Sequence, residues 1–199
     1  MPVQRLAQFE LNLGRSRDLV GLGQAVKGLT SGRVDNSEMY RAALVLAVGA
    51  LESYVHGVVL DRAVDILLGR ITGGADDRKV GLPFGAVSQI IDAQNDADRE
   101  LAARTHVAQR LSLETYQKPE DIGKAFAMVG ISKLWSSAFT DAGAATLALS
   151  LVVRRRNAIA HQCDADPVTH SQITPFSDAD ALYAIGVVQE TVRAIDKLC

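Results

Sequence analysis

The stretch AALVLAVGALESYVH, residues 42–56, decides the fold class of this chain. Its apolar residues follow one another too closely in the sequence to match the strict apolar–polar alternation of a half-buried strand. Alanine and leucine are also strong helix formers. Asp35, Asn36 or Ser37 supplies a side-chain oxygen that can cap the start of a helix. We therefore predict a long core helix over residues 38 to about 68, and an all-α fold built around it.

The remainder of the chain also has helical periodicity, interrupted by Gly, Pro, Ser and Asp. Strand signals are confined to short fragments. The first helix carries Gly14, where we expect a break, and Pro119 suits the first turn of another. Caps are expected at Asp96, at Thr140 or Asp141, and in Ser177–Asp180. The further helices are predicted over 3–29, 83–91, 98–113, 120–129, 131–139, 142–161 and 178–198.

Composition favours one helical domain covering residues 1–199. The chain is 48% hydrophobic but only 5% aromatic, which suits packed helices better than sheets. The net charge is −2 and the pI is about 6.1, so the protein as a whole does not attract polyanions. Any contact with RNA must therefore come from a local basic patch.

The sequence carries no pattern typical of a secreted, membrane or metal-binding protein. We see no secretory signal and no run of about 18 uncharged apolar residues that would span a membrane. Cys163 and Cys199 form no disulfide framework. His161, Cys163 and His170 are close in sequence, but their spacing is irregular and a fourth zinc ligand is missing. We expect a cytoplasmic protein with no metal and no cofactor.

The most informative site is the segment Arg154-Arg155-Arg156-Asn157-Ala158-Ile159-Ala160-His161, where an apolar helix suddenly becomes basic. Arginine binds phosphate through a planar fork of donors, and histidine exchanges protons near neutral pH. An amide beside them can orient either group or a ribose hydroxyl. These residue types are the parts of a metal-free site that cleaves RNA.

Helix geometry brings most of these side chains together. Asn157 and His161 are four residues apart and share a face, and Arg154, seven before His161, lies on the same stripe. Arg156 is rotated from His161 by roughly 140°, but its long side chain can curl toward the same place. A purely structural interpretation also exists, because basic residues and a terminal histidine complement the free carbonyls and dipole at a helix end.

The order arginine, asparagine, three small or apolar residues, histidine resembles the catalytic motif of the HEPN superfamily, a group of all-helical ribonucleases. Residues 42–56, with their Leu-Glu-x-Tyr tail, are similar to an early helix of its RiboL-PSP-HEPN group. The resemblance implies a bundle of long antiparallel helices with short accessory helices. It also implies that the motif lies late on a core helix, and that two-fold dimers place two motifs in one cleft.

Residue types and resemblance together predict a metal-independent endoribonuclease, a toxin or defence effector held in check by an antitoxin or other regulatory protein. Arg156, Asn157 and His161 are the expected catalytic residues, and Arg154 and Arg155 the expected RNA-binding residues. Related toxins often carry a tyrosine two residues after the histidine, as a site of modification. Cys163 stands there in this chain, so that mode of regulation is not expected. The alternative is a helical module that binds RNA or protein without cleaving it.

Glu52 is a candidate supporting residue, because it follows a strongly apolar run and would need a partner if buried. In one interpretation it lies beside Arg156 or His161 and tunes the site. In the other it is an exposed glutamate at the edge of the helix.

Overall fold

The computed structural model describes residues 2–31, 33–73, 80–166, 168–169 and 172–199, and in these ranges the fold is all-α, as predicted. An isolated bridge between Ala165 and Ile173 is the one β-type pairing found there. The described residues form eight helices: α1 Pro2–Thr30, α2 Ser37–Leu67, α3 Phe84–Ile91, α4 Asp96–Leu111, α5 Pro119–Met128, α6 Leu134–Ala138, α7 Ala142–Gln162 and α8 Asp178–Asp196.

Helix α2 lies at the centre of the bundle and packs against α1, α4, α5, α7 and α8. Its apolar run is buried as the sequence predicts, and Leu44, Leu51 and Val55 are inaccessible to solvent. Complete burial of one such side chain contributes roughly 1.5–3 kcal/mol to folding. All eight described helices contribute side chains to one continuous hydrophobic core around α2.

The long helices α1, α2 and α8 are arranged side by side. Arg5 at the start of α1 contacts Asp61 near the end of α2, and Asn36, which precedes α2, donates to the Gly23 carbonyl late in α1. This order of contacts makes α1 and α2 antiparallel. Gln24 likewise reaches Asp178 at the start of α8.

Helix α2 is also the one described helix long and apolar enough, by length and composition, to cross a membrane. Its most apolar window is 61% buried inside the bundle. A core helix of a soluble protein passes the same test, so this property by itself does not point to a membrane.

Most helix ends follow the predicted local signals. Asp141 caps α7 by accepting a hydrogen bond from the Ala144 amide at 2.9 Å. Ser177 and Asp180 form a reciprocal capping box at the start of α8, which satisfies otherwise unpaired amides.

One predicted break and two predicted helix boundaries are wrong. Helix α1 continues through Gly14, where nothing forces a bend. The cap of α4 is Asn95, whose side chain accepts from the Asp98 amide, so the helix begins at Asp96 rather than being capped by it. Helix α6 starts only at Leu134, because Lys133 has a left-handed backbone with φ of 54°. The glycines and aspartates of residues 71–77 predict a flexible turn, and most of that stretch lies outside the described residues.

Candidate functional site

An open cleft of about 980 Å³ lies between α7 and the pair α5 and α6. Clefts that hold small ligands typically measure about 300–1,000 Å³. Its walls come from three helices and from Lys118, the residue before α5. The polar side chains lining it are Lys118, Glu120, Lys124, Trp135, Thr146, Ser150, Arg154, Asn157, His161 and Gln162.

One wall of this cleft carries three of the five motif residues. Arg154, Asn157 and His161 line it from successive turns of α7, in agreement with the shared stripe that helix periodicity predicts. His161 is exposed, and no described residue is hydrogen-bonded to its ring. Its imidazole is therefore accessible to a molecule in the cleft.

Arg156 does not line the cleft but reaches it through Asn157. Its Nη1 donates a hydrogen bond to Asn157 Oδ1 at 3.1 Å. The Arg156 Nε is buried, and within the described ranges it has no partner. Because Asn157 accepts through its oxygen, its two amide N–H donors remain directed to other groups. The hydrogen bond from Arg156 thus turns the Asn157 oxygen toward Arg156 and leaves the Asn157 NH₂ group for other partners.

Arg155 faces away from the cleft. Its Nη2 donates to Asp164 Oδ2 at 2.8 Å and to the Thr174 carbonyl at 3.0 Å. Its guanidinium also lies 5.1 Å from the centre of the Phe176 ring, a cation–π arrangement. The structure therefore does not bring Arg155 together with the other predicted RNA-binding residue, Arg154.

The turn that ends α7 is held by a buried ionic cluster. Cys163 and Asp164 both have left-handed backbones, with φ of 50° and 55°, a conformation that is unfavourable for residues other than glycine. The Asp164 side chain is 1% exposed and also accepts a 2.8 Å hydrogen bond from Arg41 of α2. The Asp164 amide donates to the Ala158 carbonyl at 3.0 Å. The cluster thereby fixes the backbone directly after His161.

Glu52 is half-buried and has partners, but they are neither Arg156 nor His161. Its carboxylate accepts hydrogen bonds from the Tyr116 amide at 3.3 Å and from Gln117 Nε2 at 2.7 Å. Neither of the two interpretations of Glu52 therefore describes it. It anchors the segment that leads directly into Lys118 and Pro119 at the edge of the cleft.

Trp135 of α6 also lines the cleft. Its Nε1 donates to the Pro119 carbonyl at 2.9 Å, and its ring lies 5.9 Å from Phe139 at an interplanar angle of 20°. Trp135 is separated from His161 by 26 positions. No local pattern shows that α6 folds back against α7, so nothing in the sequence could have placed it here.

The charged lining of the cleft is predominantly positive, although the chain is acidic overall. Lys124 is paired with Glu120 and Asp121, and the hydrogen bond from Lys124 lowers the pKa of Glu120. Arg154 has no hydrogen bond or ion pair to another described side chain. Arg154 and Lys118 are therefore the cations that remain available to an anionic ligand.

The described ranges contain no group of three His, Cys, Asp or Glu side chains suited to a metal ion. His170, which the sequence brings near His161 and Cys163, lies outside those ranges. In comparisons with protein-family models, with curated proteins and with solved structures, nothing matches this chain. The function is therefore inferred from the residues of the cleft.

Proposed function

We propose that this protein is a metal-independent endoribonuclease of the HEPN type. One observation supports this most directly: Arg154, Asn157 and His161 line the same cleft on successive turns of α7. A cation, an amide and a proton-exchanging imidazole are the groups required to cut RNA through its own 2′-hydroxyl. DNA lacks that hydroxyl and is not a substrate.

In the proposed reaction, the ribose 2′-oxygen attacks the adjacent phosphorus, and the bond from phosphorus to the 5′-oxygen breaks. His161 takes the proton from the 2′-hydroxyl or supplies one to the departing 5′-oxygen. The products are a 2′,3′-cyclic phosphate and a 5′-hydroxyl. Addition of water to the cyclic ester then gives a 3′-phosphate.

The arginines have separate roles in this mechanism. Arg154, which lines the cleft, stabilises the charge that develops on the phosphoryl oxygens. Arg156 acts on Asn157 through the 3.1 Å hydrogen bond, so that the amide N–H groups meet the sugar or His161. Arg155 supports the turn after the motif through Asp164.

We further propose that two copies of the chain assemble, because the reaction needs both an acid and a base and the described cleft lining offers one histidine. Leu147 and Leu151 of α7 and Tyr183 of α8 are all more than half exposed. This apolar surface adjoins the motif helix and suits an isologous contact. A cytoplasmic toxin or defence effector, restrained by an antitoxin or other regulatory protein, is the biological role we infer.

The direct test is cleavage of a labelled mixed-sequence RNA in EDTA. We expect wild-type protein to leave cyclic-phosphate ends, and His161→Ala to lower the rate by about 10²–10⁴-fold, the usual contribution of general acid–base catalysis. Arg156→Ala is expected to lower the rate as well. His106→Ala is the matched control, since His106 is on α4 and bonded to Gln89. Equal cutting by wild type and His161→Ala would reject the proposal.

The second candidate function is a module that binds RNA or protein without cleaving it. It is favoured by the position of Arg156, which does not reach the cleft itself. Such a module would bind RNA equally well with and without His161, and purified dimer would cut none of a set of differently structured RNAs. The same EDTA assay, combined with a binding measurement, therefore separates the two functions.

A further inference from the structure

We propose that Trp135 is a stacking platform for one unpaired base, so that the cleft takes single-stranded RNA. This inference rests on the proposed function and deepens it by naming the form of the substrate. Trp135 of α6 lines the same cleft as Asn157 and His161 of α7. A base seated on the indole would leave its own sugar and phosphate to lie along the motif wall.

The indole is fixed in place before any ligand binds. Its Nε1–H donates to the Pro119 carbonyl at 2.9 Å, which ties the edge of the ring to α5. Phe139 stacks against it with a centroid separation of 5.9 Å. A preorganised aromatic ring loses little conformational entropy when a base stacks on it. Both contacts therefore hold the indole in one orientation at the wall of the cleft.

The wall of the cleft beside the indole is formed by a glycine. Gly123 of α5 lines the cleft, and a Cβ atom built there would lie 3.4 Å from Trp135 Nε1. The absence of a side chain keeps the edge of the indole accessible from the cleft. A larger residue at this position would press against the edge of the indole and fill the space beside it.

The charges of the cleft suit a nucleic-acid strand rather than an apolar ligand. Lys118 and Arg154 lie in the same cleft as Trp135, and they supply cations for a phosphate backbone. Grooves that hold single strands combine such cations with aromatic rings, because every base has a face that can stack. Bases in a duplex are already stacked on both faces, and double-stranded RNA is recognised mainly by its shape and backbone.

Trp135 is the only tryptophan in the chain, so its fluorescence reports on this one position. The test uses the full-length His161→Ala protein, which keeps the RNA intact, and a short single-stranded oligoribonucleotide of mixed sequence. We expect binding to change the Trp135 emission, with much weaker binding of the same sequence as a duplex. Excitation at the red edge of the absorption band excludes the tyrosines.

Variants in the same background give the second measurement. Removing the aromatic ring on which one base stacks typically raises the Kd for RNA about 5- to 150-fold. We expect a rise of that size for Trp135→Ala, a smaller one for Trp135→Phe, and a rise for Gly123→Leu, which keeps the tryptophan. Phe84→Ala removes an exposed aromatic ring on α3, outside the cleft and the proposed dimer contact, and its Kd should be unchanged.

The outcomes separate this inference from the proposed function. RNA that binds without changing the Trp135 emission, or that binds equally as a duplex, overturns the stacking platform. If the wild-type protein still cleaves RNA when the stacking platform is overturned, the proposed ribonuclease function is retained. An emission change with the expected loss in Trp135→Ala and Gly123→Leu, but no cleavage by wild type, supports the platform and rejects the enzyme. Absence of binding and cleavage for all RNAs rejects both.

Discussion

The Arg41 guanidinium lies 2.8 Å from the Asp164 carboxylate, and both side chains are at most 5% exposed. This ion pair connects the first turns of the core helix α2 to the turn that ends the motif helix α7. Arg155 donates to the same carboxylate oxygen. The residue three positions after His161 is thus held from two helices, which fixes the end of the helix that carries the histidine.

We predict that Asp164→Asn will lower the free energy of unfolding by about 3 kcal/mol, because it leaves the Arg41 charge buried without its principal partner. Urea unfolding measures this loss. The matched control is Glu38→Gln, which removes the exposed partner of the same Arg41. A loss of at most about 1 kcal/mol is expected there. Equal losses in the two variants would contradict a special role for the buried pair.

The neighbouring Arg154 and Arg155 are predicted to respond differently to the same substitution. Arg154→Gln should weaken RNA binding and reduce the slope of log K against log salt concentration by about 0.7, the value for one phosphate contact on a single strand. Its free energy of unfolding should change by about 0.5 kcal/mol or less, since Arg154 is exposed.

Arg155→Gln should show the reverse behaviour, because Arg155 supports the buried Asp164. We expect a lower free energy of unfolding and an unchanged salt slope. Binding titrations at several salt concentrations, paired with urea unfolding, measure both quantities for each variant. Equal salt slopes for Arg154→Gln and wild type would show that Arg154 does not contact an RNA phosphate.

The helices could be predicted from sequence where the signal is local. The apolar run of α2 and the Ser177–Asp180 capping box specify their elements within a few residues, because helix formation there depends on neighbours along the chain. The break expected at Gly14 did not occur. Its cost in a helix, about 1 kcal/mol, is small beside the burial of Phe9 and Leu13 in the same helix.

The candidate site could be predicted only in part, for the same physical reason. The shared wall of Arg154, Asn157 and His161 follows from helix periodicity alone. Glu52 has its partner Tyr116 at a separation of 64 positions, and Arg155 bonds across the irregular turn that ends α7, to Asp164 and Thr174. Helix periodicity contains no information about either arrangement. Trp135 reaches the cleft through tertiary packing, so its position was likewise inaccessible from the sequence.

A pH dependence of stability is predicted from His56, which lies 4.6 Å from the Tyr116 ring. Burial lowers its pKa below the ordinary 6.5, although the Glu52 carboxylate and the Glu114 carbonyl act in the opposite direction. The unfolded chain therefore binds the proton at a higher pH than the folded protein does. The free energy of unfolding should therefore decrease as the pH falls from about 6.5, the ordinary pKa of histidine, toward the lower pKa of His56 in the folded protein.

His56→Gln removes this titration, so its free energy of unfolding should fall less than that of wild type when the pH is lowered from about 7.5 to 5.5. Glu52→Gln should have the opposite effect, because loss of the carboxylate removes one influence that raises the His56 pKa. Urea unfolding at the two pH values gives the differences. An identical fall in His56→Gln and wild type would show that His56 is not the group responsible.

The proposed dimer leads to a prediction at Leu151, which is 56% exposed on α7, one turn before Arg154. Leu151→Glu should place a charge in the apolar contact, converting the dimer to a monomer in sedimentation velocity experiments and lowering cleavage per chain. Leu101→Glu is the matched control: Leu101 is 66% exposed on α4, away from the motif helix. If both proteins are dimeric and active, the contact lies elsewhere. A wild-type protein that is fully active as a monomer would show that one cleft supplies both the acid and the base.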